Sequence, residues 1–554
     1  MRHSLPALRR LCALLGVIAG LVAIPGCSGA TSGEPGTAAS QVQLQTSYGE
    51  AVGPIDTLNW GLPYGEPSVL DPPNGPYFSA TFALAQMCDS LMRAGEDGIP
   101  VPGVADVERL DPVTIRIKLK KGIRFWDGSE MTSEDVKFSL DHTRAPSTAI
   151  GVFFASIKTI TADDRYTVTI ALSQPDALVA KELGGIGGMI WQKRHAEEAG
   201  DKFGTSERGI MCSGPYKLRK WNTGTSIELE ANPDYWDTEF APRAKTITLK
   251  FFSDSTTLAS ALQTGEIDGA YEVPAQTIPS LRKSSAGKLL YGPADIYVVM
   301  SVVNPDGPLK DVRLRRALSM SIDRSAIVRL VFRGAARPFY TQINPSNWDP
   351  AGNDIYEAAY LPYLQEGETF GTEAAINQSK QVVETLGIGD RPLQLITPAG
   401  DVTVSRIAQL VQLQARRIGL TIEIKPLQAI KYTEATYNEA ARGDADLMLS
   451  TSYNGLREPA ESIPFSFLPD LPYNYSRFNN PAVTKLLAQA RTEEDATARA
   501  RLMVEVQSLI EKEPSFIPIV EVNEISFLNQ RFAGMITSFR YMRTPSLALI
   551  GAAQ

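Results

Sequence analysis

Residues 120–144 read KKGIRFWDGSEMTSEDVKFSLDHTR. Asp127-Gly128 is a tight-turn signal, because Asp bonds its own backbone and Gly accepts angles that other residues avoid. Thr132 followed by Asp135 has the spacing of a capping box in its acidic variant. Ser133, Glu134 and Asp135 suit the positive end of a helix. The spacing therefore predicts a helix starting within MTSEDVKFSLDH (131–142). Just upstream, VTIRIKL (113–119) alternates strictly, with Val113, Ile115, Ile117 and Leu119 on one face, which predicts a half-buried strand.

The same alternation returns in RYTVTIAL (165–172), after the turn signal Asp163-Asp164, and in SIELEA (226–231) and TITLKFF (246–252). Half-buried strands with short turns predict a largely antiparallel sheet. Farther along the pattern changes. PLQLITP (392–398) and TIEIKPL (421–427) read as strands flanking an amphipathic helix over 402–418. Ile407, Leu410, Val411 and Ile418 form its stripe, Arg416 and Arg417 fill its last turn, and Gly419 stops it. That is a βαβ unit with parallel character. Residues 480–513 predict a helical pair broken near Glu493–Asp495. The chain thus reads as two α/β halves of different topology.

The 554 residues are 43% hydrophobic and 21% charged, enough for real cores in several domains. A net charge of −8 without a dense basic patch argues against nucleic acid as a partner. The three histidines, His3, His142 and His195, have no partners at metal-binding spacing. No HExxH, GxSxG, P-loop or CxxC occurs, and GGIGGM (184–189) reads as a turn or hinge and not as a phosphate loop. An exported hydrolase would lack a nucleophile and base. The expectation is a protein that is not an enzyme and needs no cofactor or metal.

Arg2, Arg9 and Arg10 precede the apolar run 11–24, which reads as a signal peptide over 1–26, too short for a comfortable membrane span. Ile24-Pro25-Gly26-Cys27 resembles a bacterial lipobox, whose cysteine carries a diacylglyceryl group. Cys27 would then anchor the chain to a membrane outside the cytoplasm, at the cell envelope, with 27–50 as a flexible tether. Of the other cysteines, Cys12 leaves with the signal. Cys88 and Cys212 are read as one disulfide, the alternative being two buried thiols.

The opening segment also carries a resemblance. Lys121-Gly122-Ile123, Phe125, Asp127-Gly128, Thr132 and Asp135-Val136 resemble the hallmark of family 5 extracellular solute-binding proteins, the dipeptide, oligopeptide and nickel-type receptors of ABC importers. SLMRAGEDGIPVPGVA (90–105), CSGPYKLRKWNTGTSIELEANPDYW (212–236), ALQTGEIDGA (261–270), DVRLRRALSMSIDR (311–324) and IPIVEV (517–522) match further blocks in order. The resemblance implies an α/β, two-lobed clamshell of the type II periplasmic-binding class, in its large peptide-binding subclass. Lobe I would be 51–296 plus 522–554 and lobe II 297–521. A peptide or peptide-like small polar solute, an opine, a sugar or a chelate would bind in the interlobe cleft and close it by hinge motion. The receptor, a monomer, would then serve an ABC permease and its ATPase. The alternative is a ligand-sensing receptor of the same fold without a transport role.

In peptide-binding members an acid near a Tyr-x-[Asp/Glu]-Pro sequence holds the ligand's α-ammonium. Here Tyr453-Asn454-Gly455-Leu456-Arg457-Glu458-Pro459, aligned on Glu458-Pro459, puts Gly455 at that place. Asn454, Glu458 or Glu461 are the substitutes considered, and Arg457 adds a positive charge suited to an anionic ligand. Other cleft candidates are Tyr64, Glu66, Tyr77, Trp191, Trp348, Tyr453, Tyr473 and Tyr475. Aromatic platforms give contact area at little entropic cost.

Overall fold

The computed structural model describes residues 42–554 except 76–77, 97, 388–390, 470 and 472. The expected signal over 1–26, Cys27 and Tyr77 lie outside the described residues. The segment 120–144 folds around its two local signals. Ser129 donates through backbone N and Oγ to Asp127 Oδ1 at 2.9 and 2.7 Å, and Gly128 takes φ 85°. Thr132 and Asp135 form the reciprocal capping box, and the helix runs Ser133–Thr143.

That helix packs on a four-stranded antiparallel sheet, in the order Ala105–Asp111, Thr114–Leu119, Thr167–Leu172, Ile157–Asp164. Ile115, Ile117, Val168 and Ile170 of the sheet bury against Val136 and Leu140 of the helix. Each fully buried aliphatic side chain contributes roughly 1.5–3 kcal/mol, against roughly 1 kcal/mol for the cap. The cap sets where the helix begins; the packing holds it. Val113, expected on the buried face, lies in the turn before the strand and is exposed.

Among the described residues the main sheet has eleven strands. Across it run Ile422–Leu427, Leu393–Pro398, Leu447–Tyr453, Gly287–Val302, Phe516–Asn529, Gly269–Ala270, Ile55–Leu62, Ala244–Phe251, Ser226–Ala231 and Tyr216–Asn222, with Ala336–Pro338 attached to Phe516–Asn529. Leu393–Pro398 and Ile422–Leu427 pair in parallel through the helix Val402–Arg417, which buries Ile407 and Val411. One expectation is corrected. Ala244–Phe251 is antiparallel to Ser226–Ala231 but parallel to Ile55–Leu62, because the four-stranded unit is inserted between those two strands in sequence.

One core gathers Leu58, Trp60, Phe82, Ile227, Leu249 and Tyr541 at one end of the main sheet. Another gathers Leu258, Val298, Ile407, Leu449 and Ile519 at the other. A helical core holds Trp348, Tyr356, Phe467, Met503 and Val506. Its helices Pro481–Thr492 and Ala496–Ile510 break where expected, the second capped by Asp495, which accepts from Ala498 N at 2.7 Å.

The tether expected over 27–50 is already part of the fold by its last residues. Ser47–Tyr48 pairs antiparallel with Met535–Ile536, Gln45 N donates to Tyr291 O at 2.9 Å, and Val42 packs on the core. The strand is confined to Ser47–Tyr48, and residues 42–45 ahead of it lie outside any strand.

Candidate ligand-binding seam

The four-stranded unit and the helical core meet along a seam. Arg491 pairs with Asp176 at 2.8 Å and donates to Phe153 O at 3.0 Å. Ala177 N donates to Arg491 O at 2.9 Å, Arg109 pairs with Glu494 at 3.1 Å, and Phe153 sits edge-on to Phe465. Leu178 buries among the helical core residues. The helix Val179–Glu182 follows and presents Lys181 and Glu182 to the same seam.

On the opposite wall the strand Leu447–Tyr453 ends beside Ile296, and the chain turns through Asn454 and Gly455. Asn454 N donates to Asp295 O at 2.9 Å, and Asn454 O accepts from Arg543 Nη2 at 3.1 Å. Glu458 caps the short helix Pro459–Ser462, whose first turn returns Glu461 over Gly455. A Cβ on Gly455 would lie 2.6 Å from Glu461 Oε1. The space in which an acid at 455 would begin is therefore occupied by a carboxylate from six residues later.

Glu461 is 3% exposed, and its Oε2 has no hydrogen-bond partner among the described residues. Glu182 Oε1 and Asn454 Oδ1 are likewise buried and unpartnered among them. Burial pushes the Glu461 carboxyl up to about 7, with Arg543 and Arg491 opposing. Burial, then the charge of Glu461, hold Glu182 well above the ordinary carboxylate range. Buried polar atoms in proteins are nearly always paired. Three of the unpartnered acceptors among the described residues thus stand along this seam.

Glu458, a candidate ligand contact, is spent on structure. Its Oε2 accepts from Arg499 Nε at 2.7 Å and Lys181 Nζ at 3.0 Å, and its Oε1 from Ala460 N at 3.4 Å. Lys181 also reaches Asp349 at 2.7 Å, and Arg499 lies 3.5 Å from Asp349. These are charge-assisted contacts with both acids buried. Arg457 lies against Gly98, where an added Cβ would meet its Cδ at 3.2 Å.

Tyr64 and Tyr453 meet at one atom. Both hydroxyls donate to Glu272 Oε2, at 2.7 and 3.1 Å, while their rings stay open to solvent. Tyr541 donates to Glu272 Oε1 at 3.2 Å and Glu524 Oε2 at 3.0 Å, and stacks on Tyr271 at 3.7 Å. Glu272 adopts φ 48° and donates its backbone N to Glu524 Oε1 at 2.8 Å. Sequence reasoning missed Glu272 and Glu524. The one available signal was the block ALQTGEIDGA, whose continuation Tyr271-Glu272 was not read as part of a site.

Other candidates go elsewhere. Glu66 accepts from Trp221 Nε1 at 2.7 Å and Gly224 N at 2.9 Å, so it pins a hairpin turn. Trp191 is fully buried, edge-on to His142, and Trp348 stacks on Tyr356 in the helical core. Their indoles have more area to bury than an open cleft wall removes from water. Tyr475 is buried beneath Arg442 at 4.4 Å. Tyr473 touches Tyr475, Tyr437 and Phe465 and continues an aromatic chain to the seam at Phe153. Cys88 and Cys212 are joined by a disulfide. Among the described residues no group of three or more His, Cys, Asp or Glu is placed to hold a metal ion.

Residues 100–470 match the family described as bacterial extracellular solute-binding proteins, family 5 Middle. The glutathione-binding protein GsiB of Escherichia coli O157:H7 is 24% identical over 432 residues, spanning 76% of this chain and 80% of its own length. The ABC transporter substrate-binding protein CtaP of Listeria monocytogenes superposes with a TM-score of 0.75 at 22% identity, covering 90% of this chain and 100% of its own. The oligopeptide-binding protein AppA of Bacillus subtilis, solved with a nonapeptide, gives 0.74 at 21% identity, covering 91% and 100%. The two-lobed α/β fold is shared with these structures. The match extends over more than half of the sequence, and the chain belongs to family 5 of the bacterial extracellular solute-binding proteins.

Proposed function

We propose that this chain is the extracytoplasmic substrate-binding component of an ABC importer. It captures a peptide or peptide-like small polar solute between its lobes and delivers it to a membrane permease driven by an ATPase. Lobe I is 51–296 with 522–554, and lobe II is 297–521. GsiB is named for glutathione and AppA was solved with a nonapeptide, which favours peptide-like chemistry among the family's range. The observation that carries the reading is the set of unpaired acceptors, Glu182 Oε1, Asn454 Oδ1 and Glu461 Oε2, gathered in a seam that two walls close.

Cys27, lipidated after removal of 1–26, would keep the receptor beside its permease. Two or three acyl chains give stable anchoring where one does not. Among the described residues no helix is long and apolar enough to cross a membrane. A Cys27→Ser chain is expected in the soluble envelope fraction, and the unaltered chain in the membrane fraction with the mass of a diacylglyceryl group.

Thermal unfolding of the mature chain with tripeptides, glutathione, opines, sugars and nickel chelates tests the solute class. A true ligand at a hundredfold excess over its Kd adds about 2.7 kcal/mol of stability. Stabilisation by a peptide or peptide-like member is the expected result. A response confined to sugars or chelates would overturn the solute class, and no response at millimolar concentration would overturn the receptor reading.

A further inference from the structure

We infer that Glu524 is kept as a neutral acid across the hydroxyl of Tyr541, and that its proton holds Glu272 as the carboxylate onto which Tyr453 closes. The three groups form a latch between the lobes that alkaline pH releases. The inference takes its lobe boundaries from the receptor reading above and concerns closure, not the solute.

A count of hydrogens carries it. Tyr541 Oη stands 3.2 Å from Glu272 Oε1 and 3.0 Å from Glu524 Oε2. A phenol has one proton to donate. With both acids ionised, one of these contacts would be oxygen against oxygen with no hydrogen between. Glu272 Oε2 accepts from Tyr64 at 2.7 Å and Tyr453 at 3.1 Å. Glu524 Oε1 accepts from Glu272 N and Ser526 Oγ, both at 2.8 Å. Every contact is satisfied once a single proton sits on one of the two oxygens that face Tyr541.

Burial decides which. Glu524 is fully buried, whereas Glu272 keeps 8% exposure and is reached by the hydroxyls of the two open rings, Tyr64 and Tyr453. Burial penalises the charged form. The proton therefore stays on Glu524 Oε2, which donates to Tyr541 Oη, and Tyr541 donates to Glu272 Oε1. Glu272 is then a carboxylate with three phenol donors. The titratable groups facing the pair are Tyr64, Tyr271, Tyr453 and Tyr541, with no cation among them. The neighbouring strand Gly287–Val302 puts Gly292 opposite Glu524.

Tyr453 ends the strand Leu447–Tyr453 in lobe II, and Glu272, Glu524 and Tyr541 belong to lobe I. When the Glu524 O–H bond breaks and its proton passes to solvent, Tyr541 can serve only one of two charges, and the acids repel. Glu272, the member nearer water, yields and lets go of Tyr453. Burial and the Glu272 charge push Glu524 up to about 8, so the latch is closed near neutral pH and opens as pH rises through that value.

Two measurements on the mature, full-length chain without any solute test this, so they are read whether or not the receptor reading stands. Infrared spectra at about pH 7 are expected to show a protonated-carboxyl C=O band that Glu524→Gln removes. Small-angle scattering is expected to give a larger radius of gyration at about pH 9.5 than at about pH 7. Glu524→Gln is expected to keep the small radius at both, because its amide donates to Tyr541 as the acid does. Tyr453→Phe, which keeps the exposed ring and loses the hydroxyl, is expected to show the larger radius at both. A band unchanged in Glu524→Gln overturns the inference. So does a radius that does not change with pH in the unaltered chain, which needs no variant to fold, or a pH step that persists in Tyr453→Phe.

Discussion

Lys181 Nζ stands 3.0 Å from Glu458 Oε2 and joins the wall that carries Glu182 to the wall that carries Glu461. Glu458 is 1% exposed, whereas the Lys181 side chain keeps 26% of its surface in water. Replacing Lys181 by Met leaves Arg499, among the described residues, as the one cation paired with those two buried acids. Losing one partner of a fully buried pair costs about 3–5 kcal/mol. Solvent screening at Lys181 brings the expectation down to about 1–3 kcal/mol. Urea unfolding of Lys181→Met measures it, and small-angle scattering is expected to show a larger radius of gyration as the seam opens. An unchanged midpoint and radius would remove the bridge from the closure mechanism.

Gly455→Ala is expected to act on binding and not on folding. The new methyl meets the free end of Glu461 at 2.6 Å, and that carboxylate has to move out of its seat. The backbone at 455 is not in the left-handed region, so Ala carries no conformational penalty there. Affinity for the bound solute is expected to fall about tenfold or more, with a stability change within about 1 kcal/mol. Unaltered affinity would show that Glu461 does not need that seat.

Stability of the unliganded protein is expected to fall as pH rises from about 5 to about 8. Burial pushes Glu272 up to about 7 and Glu524 up to about 8, from an ordinary value of 4.5. Above pH 4.5 the unfolded chain sheds these protons while the folded chain keeps them. The associated stability is complete below that value and is lost through 7 and 8, at up to about 1.4 kcal/mol per pH unit for each group. Glu461 adds in the same sense. Unfolding at pH 5, 6.5 and 8 measures the slope, and Glu272→Gln is expected to make it shallower. A flat or rising profile would contradict the burial of these carboxyls.

Reduction of the Cys88–Cys212 bond opens a loop of 124 residues. Loss of such a cross-link is expected to cost about 2–5 kcal/mol. Thiol titration of denatured mature protein is expected to find neither cysteine reactive before reduction and both after it. Two reactive thiols without reductant would show that the bond does not form.

What could be read from sequence was what neighbours in sequence decide. Thr132 and Asp135 announce their helix because the capping contact spans three residues. The pair Pro481–Thr492 and Ala496–Ile510 breaks where Asp495 caps, again a local matter. Glu272 was not legible because its partners Tyr64, Tyr453, Tyr541 and Glu524 stand 181 to 269 residues away along the chain. Glu182 sits on a four-residue helix, and of the charged groups around it Glu461, Arg491 and Arg543 lie far along the chain. Trp191, Trp348 and Glu66 have side chains that suit a cleft or a core equally well, and only the packing distinguishes the two. Gly455 was legible as a missing acid; the carboxylate that fills its place arrives through a turn of helix that begins at Pro459.

The strand Phe516–Asn529 lies between Gly287–Val302 and Gly269–Ala270, in the interior of the main sheet. It lends Ile517, Ile519 and Phe527 to one core and Leu528 to the other. In a polypeptide delivered from its N-terminal end, the sheet has a gap at its centre until more than five hundred residues have arrived. The earlier strands then wait as unclosed edges. A chain ending at residue 515 is expected to show no cooperative melting transition. The order of strands in space, set against their order in time, acts as a delay on folding.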